Sequence, residues 1–155
     1  MTPSWFGNRY PQLEDMIVFA ESLGAKVTWA EVGEDAVYFA ADAAAGEPAV
    51  IVLPINVGPL RMAWLMAHEL GHLVLHGGYV SKWSRDRQES QASRWAVRAL
   101  IPDKAIRQYR NACEDAFIAA LSKHFEDIPF IDCPERQLAA FIARIRLSIL
   151  QEEVA

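Results

Sequence analysis

Basic residues are in the minority in this chain, with 15 Lys and Arg against 20 Asp and Glu and a formal net charge of −5. Non-specific nucleic-acid binding draws on basic patches that displace counterions from phosphates, so no direct nucleic-acid binding is expected. Arg136, Arg144 and Arg146 recur at helical spacing, and we read them as a solvated helix face. Cysteine is scarce. Cys113 and Cys133 are the two present, too few for a disulfide framework, and both are expected to be reduced and partly buried. Long apolar runs are missing as well. Residues 16–20 are apolar, but they are flanked by Glu14, Asp15 and Glu21. We read no signal peptide and no transmembrane span, and expect a cytoplasmic protein without membrane contact.

What is present is globular. Hydrophobic residues make up 52% of the 155 positions, enough for one domain to bury a core without staples. Residues 11–23 carry Leu13, Ile17, Ala20 and Leu23 at a helical rhythm, with Gly24 as the stop. Residues 26–32 alternate as a strand, residues 33–35 form a turn, and residues 37–40 read as a second strand. Residues 49–55 are an apolar run, and Pro54 either ends that strand or places it at an edge, because proline cannot donate to a ladder. Pro59 suits a helix start, residues 60–76 read as a long helix, and Gly77-Gly78 ends it. Residues 86–100 form the next helix, stopped by Pro102. The remainder is helical in pieces, closing with a helix over residues 135–150. Strands cluster near the start and do not alternate with helices. The fold class is therefore α+β: an N-terminal helix, a small, mostly antiparallel three-stranded sheet, then a helical bundle.

Within the long helix lies Ala67-His68-Glu69-Leu70-Gly71-His72-Leu73-Val74-Leu75-His76, which contains H-E-x-x-H. Residues four apart share one helix face, so His68 and His72 can aim two imidazoles at one ion. Zn²⁺ accepts such nitrogens at about 2.0–2.1 Å and keeps a position open for water in catalytic sites. Glu69 stands where it can take a proton from that water. Gly71 costs about 1 kcal/mol relative to Ala by helix propensity, and close packing of another element is one reason to keep it there. His76 continues the series but lies about 12 Å along the axis from His68, too far to share an ion. A helix-end role beside the dipole or a supporting contact suits it better. A metzincin would carry its third histidine at the position of Gly78, which excludes that class. His124 is isolated in a helical stretch and reads as an ordinary surface or core residue. The third ligand is expected to be a carboxylate of the next helix, with Asp86 and Glu89 as candidates. In thermolysin-like enzymes a second helix supplies a ligand glutamate and, four residues on, an acid that holds a ligand histidine. Glu89 with Ser93 copies that spacing and is favoured.

Taken together, the string 67–76, Glu89-Ser90-Gln91-Ala92-Ser93-Arg94-Trp95-Ala96 and the close Leu100-Ile101-Pro102 resemble the ImmA/IrrE metallopeptidase family. The strand near residues 49–56 and Arg61 are similar too. The resemblance implies a zincin-like, gluzincin-type core over residues 1–102. His68, His72 and Glu89 match the zinc ligands and Glu69 the general base. Ser93 stands where the family has Asp or Asn. Known members cleave helix-turn-helix repressors, often in phages, mobile elements or stress responses. Residues 103–155 would form a C-terminal helical region packed on the core, with a substrate-binding or sensory role. The expected function is thus a zinc-dependent endopeptidase acting on a protein such as a helix-turn-helix repressor. Its substrate would lie extended beside residues 49–53 as an added strand. Tyr79 and Tyr109 are candidate oxyanion donors, and nothing in the sequence selects between them. The alternative is a zinc-binding regulatory protein that holds a partner without cleaving it. A DNA-binding regulator would need a basic recognition surface in the last helices.

Overall fold

The computed structural model describes residues 2–77, 83–109 and 111–154. Helix α1 spans Leu13–Ser22, and strands β1, β2 and β3 span Ala25–Ala30, Val37–Phe39 and Ala49–Pro54. Five helices follow: α2 (Pro59–His76), α3 (Arg85–Leu100), α4 (Asp103–Ile106), α5 (Glu114–His124) and α6 (Pro134–Val154). The class is α+β, as the clustering of strands implies.

Local chemistry sets the ends of the elements that matter most. Proline at the first position of α2 lacks an N–H that would have no helical partner there anyway. The helix stops at Gly77, whose φ of 62° is left-handed, with its N–H donating to the Leu73 carbonyl at 3.1 Å. Helix α3 ends at Ile101, held extended by the proline that follows it.

The sheet is mixed, not mostly antiparallel. Its order is β1-β3-β2. β1 runs parallel to β3 from Ala25↔Ala49 to Ala30↔Pro54, and β2 pairs antiparallel with β3 from Val37↔Val52 to Phe39↔Val50. A three-strand meander would have put β2 in the middle. Burial decides otherwise: β3 is the most apolar strand, with Ile51 and Leu53 wholly buried, and it takes the centre. Pro54 is its last residue, so the missing donor falls where pairing stops. Because β3 is paired on both sides, no substrate strand can be added beside residues 49–53. Among the described residues, the outer edges of the sheet belong to β1 and β2.

α1 and α2 pack on the sheet and on each other, and α2 packs against α3. One continuous core runs from Trp5 through Met16, Leu53, Met66 and Leu100 to Ile149 of α6. A second expectation fails at its far end. Arg146 is not part of a solvated face. It is wholly buried, donates from Nε to the Ile101 carbonyl at 2.9 Å, and pairs with Asp103. Arg144, by contrast, is exposed and pairs with Glu114 at 3.2 Å. The arginine spacing gave a helix but not the face that each residue takes. Around Arg146, Arg98 reaches Asp103 at 3.3 Å and Glu153 at 3.4 Å, and Arg94 reaches Glu152 at 2.5 Å. These pairs tie α6 to α3 and to the start of α4.

Both cysteines are free. Cys133 is half-buried, but Cys113 is exposed, where partial burial was expected for both. Among the described residues, no helix is long and apolar enough to cross a membrane.

Candidate metal centre

His68 and His72 stand one turn apart on α2, with ring centroids 4.8 Å apart. Their Nε2 atoms converge on one carboxylate of α3: His68 Nε2 lies 2.9 Å from Glu89 Oε2, and His72 Nε2 lies 3.0 Å from Glu89 Oε1. Among the described residues these three form a group able to hold a metal ion, their ligand atoms all within 4.8 Å of one another. Two imidazoles and one carboxylate are the donor set of a catalytic zinc site with a position left open. Asp86, the other carboxylate considered, is exposed in the first turn of α3 and does not join the group.

The close approach of the two helices has a specific cause. A β-carbon on Gly71 would come within 2.7 Å of the Ala92 carbonyl oxygen and 2.9 Å of its Cα. Only glycine lets α3 lie this near α2, and Glu89 is one turn away from that contact.

Both histidines are held from behind. Ser93 Oγ lies 3.3 Å from His68 Nδ1. His76 Nδ1 lies 3.2 Å from His72 Nδ1, and Gln91 Oε1 lies 2.9 Å from His76 Nε2. His76 is therefore a neighbour of the group and not a ligand in it, as its axial separation from His68 requires. His72 is 5% exposed. Its burial, reinforced by His68, holds its pKa below the usual imidazole value. A neutral imidazole is the form that can ligate a metal.

Glu69 is the next residue after His68 and is half-buried beside the group. Burial, reinforced by the charge of Glu89, pushes its carboxyl up to about 7. A carboxylate poised there can both accept and return a proton near neutral pH. A bound cation nearby would draw this value down again by favouring the charged form.

Three neighbours escaped sequence reasoning. Tyr38 of β2 has its phenol pKa raised by burial and then by the negative charge of Glu69, which places β2 within electrostatic reach of that carboxylate. Trp64, one turn before His68, lies 5.7 Å from its ring and meets Phe141 of α6 edge-on at 5.6 Å. Gln91 is the third. Trp64 shares the i, i+4 face of His68, so helical spacing was a usable signal for it. Tyr38 and Gln91 depend on packing between elements.

The remaining candidates lie elsewhere. The Tyr109 hydroxyl is 3.1 Å from that of Tyr10, and its ring packs on Phe117. His124 stacks on Tyr10 with centroids 3.6 Å apart. Tyr79 lies outside the described residues, as does Gly78.

An H-E-x-x-H helix packed on a small sheet, with a glutamate facing it from the next helix, defines a domain of the metallopeptidase type. Residues 20–126 match the family described as IrrE N-terminal-like domain, Peptidase_M78. The chain belongs to this ImmA/IrrE family of metallopeptidases. The match runs from the last turn of α1 to just past α5. No curated protein matches the chain.

Proposed function

We propose that this protein is a zinc-dependent endopeptidase that cleaves a regulatory protein, a helix-turn-helix repressor by analogy with known members of the family. The observation that carries the reading is the convergence of His68 Nε2, His72 Nε2 and both Glu89 oxygens on one point, beside a Glu69 carboxyl raised to about 7. His68, His72 and Glu89 would hold the ion. When bound, zinc supplies a Lewis acid for the scissile carbonyl and acidifies a water. Glu69 accepts the proton of the attacking water and delivers it to the departing amine. Ser93 and His76 keep the two imidazoles oriented.

On this reading the substrate strand lies along the outer edge of β2, whose Tyr38 feels the charge of Glu69. Backbone pairing along that edge would supply affinity without reading sequence. The aromatic pair Trp64–Phe141 borders the histidines and offers an apolar wall for one substrate side chain. Residues 103–155 would contribute to substrate binding through Phe141 of α6.

The test is a cleavage assay against helix-turn-helix repressors, starting with any encoded beside this gene, with zinc measured on the same samples. Wild type is expected to hold one zinc per chain and cut the repressor. Glu69→Gln is expected to hold zinc and not cut. Equal cutting by both would show that Glu69 is not the general base. A second reading rests on Ser93, a neutral hydroxyl 3.3 Å from His68 where the family carries an acid or amide. On that reading the site binds zinc and a partner without turnover. Stoichiometric zinc, tight repressor binding and no fragments would favour it.

A further inference from the structure

The two ligand histidines are supported by chemically different groups. Behind His68 stands a serine hydroxyl, which can rotate to donate or accept. Behind His72 stands a second imidazole, itself facing an amide oxygen. We propose that Gln91 and His76 form a directional hydrogen-bond relay that sets the tautomer of His72, so that its bare Nε2 faces the metal position. The inference deepens the metal-site reading and rests on it.

The direction follows from donor and acceptor inventory. Gln91 Oε1 can only accept, so the His76 Nε2 it faces at 2.9 Å carries a proton. A neutral His76 protonated on Nε2 has its lone pair on Nδ1. That lone pair faces His72 Nδ1 at 3.2 Å, so His72 must donate from Nδ1. The remaining nitrogen of His72, Nε2, faces Glu89 Oε1 at 3.0 Å, and with its proton held on Nδ1 it offers a lone pair to a cation bound between it, His68 and Glu89. With Gln91 turned to present its NH₂ group, every step would reverse. His76 would donate from Nδ1, His72 would accept there, and its proton would sit on Nε2, where it blocks coordination.

The surroundings make the relay the main source of direction. His72 is almost wholly buried, so bulk water is a poor substitute for its Nδ1 partner. Gln91 is on α3, two residues after the ligand Glu89. One helix thus supplies both a ligand and the group that orients a ligand of the other helix. Gln91 and His76 are positioning residues: they act through His72 and touch no reacting atom.

The experiment measures zinc affinity by competition with a chelating indicator for wild type, Gln91→Met and Gln91→Glu. It is joined to imidazole nitrogen NMR on the zinc-loaded wild type. Methionine keeps the length and removes the acceptor, and affinity is expected to fall about tenfold, the lower end of the effect of losing a direct outer partner of a ligand histidine, because Gln91 acts through His76. Glutamate keeps an oxygen acceptor and makes it charged, and affinity at or above that of wild type is expected. The His76 proton is expected on Nε2. Undiminished affinity in Gln91→Met, equal weakening in Gln91→Glu, or a His76 proton on Nδ1 would each overturn the relay while leaving the metal site standing. Failure of wild type itself to take up zinc would overturn the metal site, and the relay with it.

Discussion

Gly71 of α2 lies so close to Ala92 of α3 that a β-carbon at position 71 would come within 2.7 Å of the Ala92 carbonyl oxygen. The obstacle is backbone, not the end of a flexible side chain, so the helices themselves would have to separate. Gly71→Ala sets two effects against each other. Helix propensity favours alanine by about 1 kcal/mol, whereas overpacking costs about 1–3 kcal/mol. We expect the clash to win, with lower stability in urea unfolding and weaker zinc binding as Glu89 moves away from His68 and His72. A more stable Gly71→Ala protein with unchanged zinc affinity would mean that the helix spacing does not set the geometry of the site.

Ser93 invites substitution in both directions. Its hydroxyl stands 3.3 Å from His68 Nδ1. Ser93→Ala removes the partner and should weaken zinc about tenfold. Ser93→Asp supplies a charged acceptor, which makes a stronger hydrogen bond to an imidazole N–H, and should bind zinc more tightly than wild type. Chelator competition on the three proteins reads the order directly. Any order other than Asp, Ser, Ala contradicts it.

Glu69 gives the metal-free protein a pH signature. Its carboxyl is raised from 4.5 to about 7, first by burial and then by Glu89. The folded state therefore holds this proton more tightly than the unfolded chain does. Between those two values the folded protein binds more protons, so stability falls as pH rises through the window and the loss is complete above it. Glu69→Gln removes the titrating group. In the absence of metal, its stability advantage over wild type should grow from about pH 4.5 to about pH 8, by about 3 kcal/mol at most. Urea unfolding at several pH values in the presence of a chelator measures the difference. A pH-independent gap would place Glu69 in an ordinary solvated setting.

Arg146 is the ionic anchor of α6. It is wholly buried, donates to the Ile101 carbonyl, and pairs with Asp103. Arg146→Met keeps apolar volume but leaves that carbonyl without its charged donor and Asp103 without this partner. A loss of about 2 kcal/mol is expected, near the cost of an unsatisfied buried acceptor. Because the contact lies away from Glu89, zinc affinity of the folded protein should be nearly unchanged. A large change in zinc affinity would show that α6 helps to shape the site.

The parts of the fold that could be read from sequence are those set by local chemistry. Pro59 and Gly77 delimit α2, Pro102 stops α3, and four-residue spacing puts His68 and His72 on one face. A rise of about 1.5 Å per residue was enough to keep His76 out of the group. Other features depend on which surfaces meet. The mostly antiparallel sheet expected from the clustered strands gave way to a mixed one ordered β1-β3-β2, because the most buried strand takes the centre whatever its place in the chain. Arg144 and Arg146 are near neighbours in sequence, yet one is exposed and the other buried, a distinction that depends on the phase of α6 against α3. Gln91 meets His76 only because the contact at Gly71 sets how the two helices face each other.

The measurement that bears most directly on the metal site is zinc content and affinity in wild type and Glu89→Ala. Wild type should bind one zinc per chain. Glu89→Ala, having lost a ligand and not merely an outer partner, should bind it more than about 100-fold more weakly. Equal affinity in the two proteins would show that Glu89 is not a ligand, and the site built from His68, His72 and Glu89 would have to be abandoned.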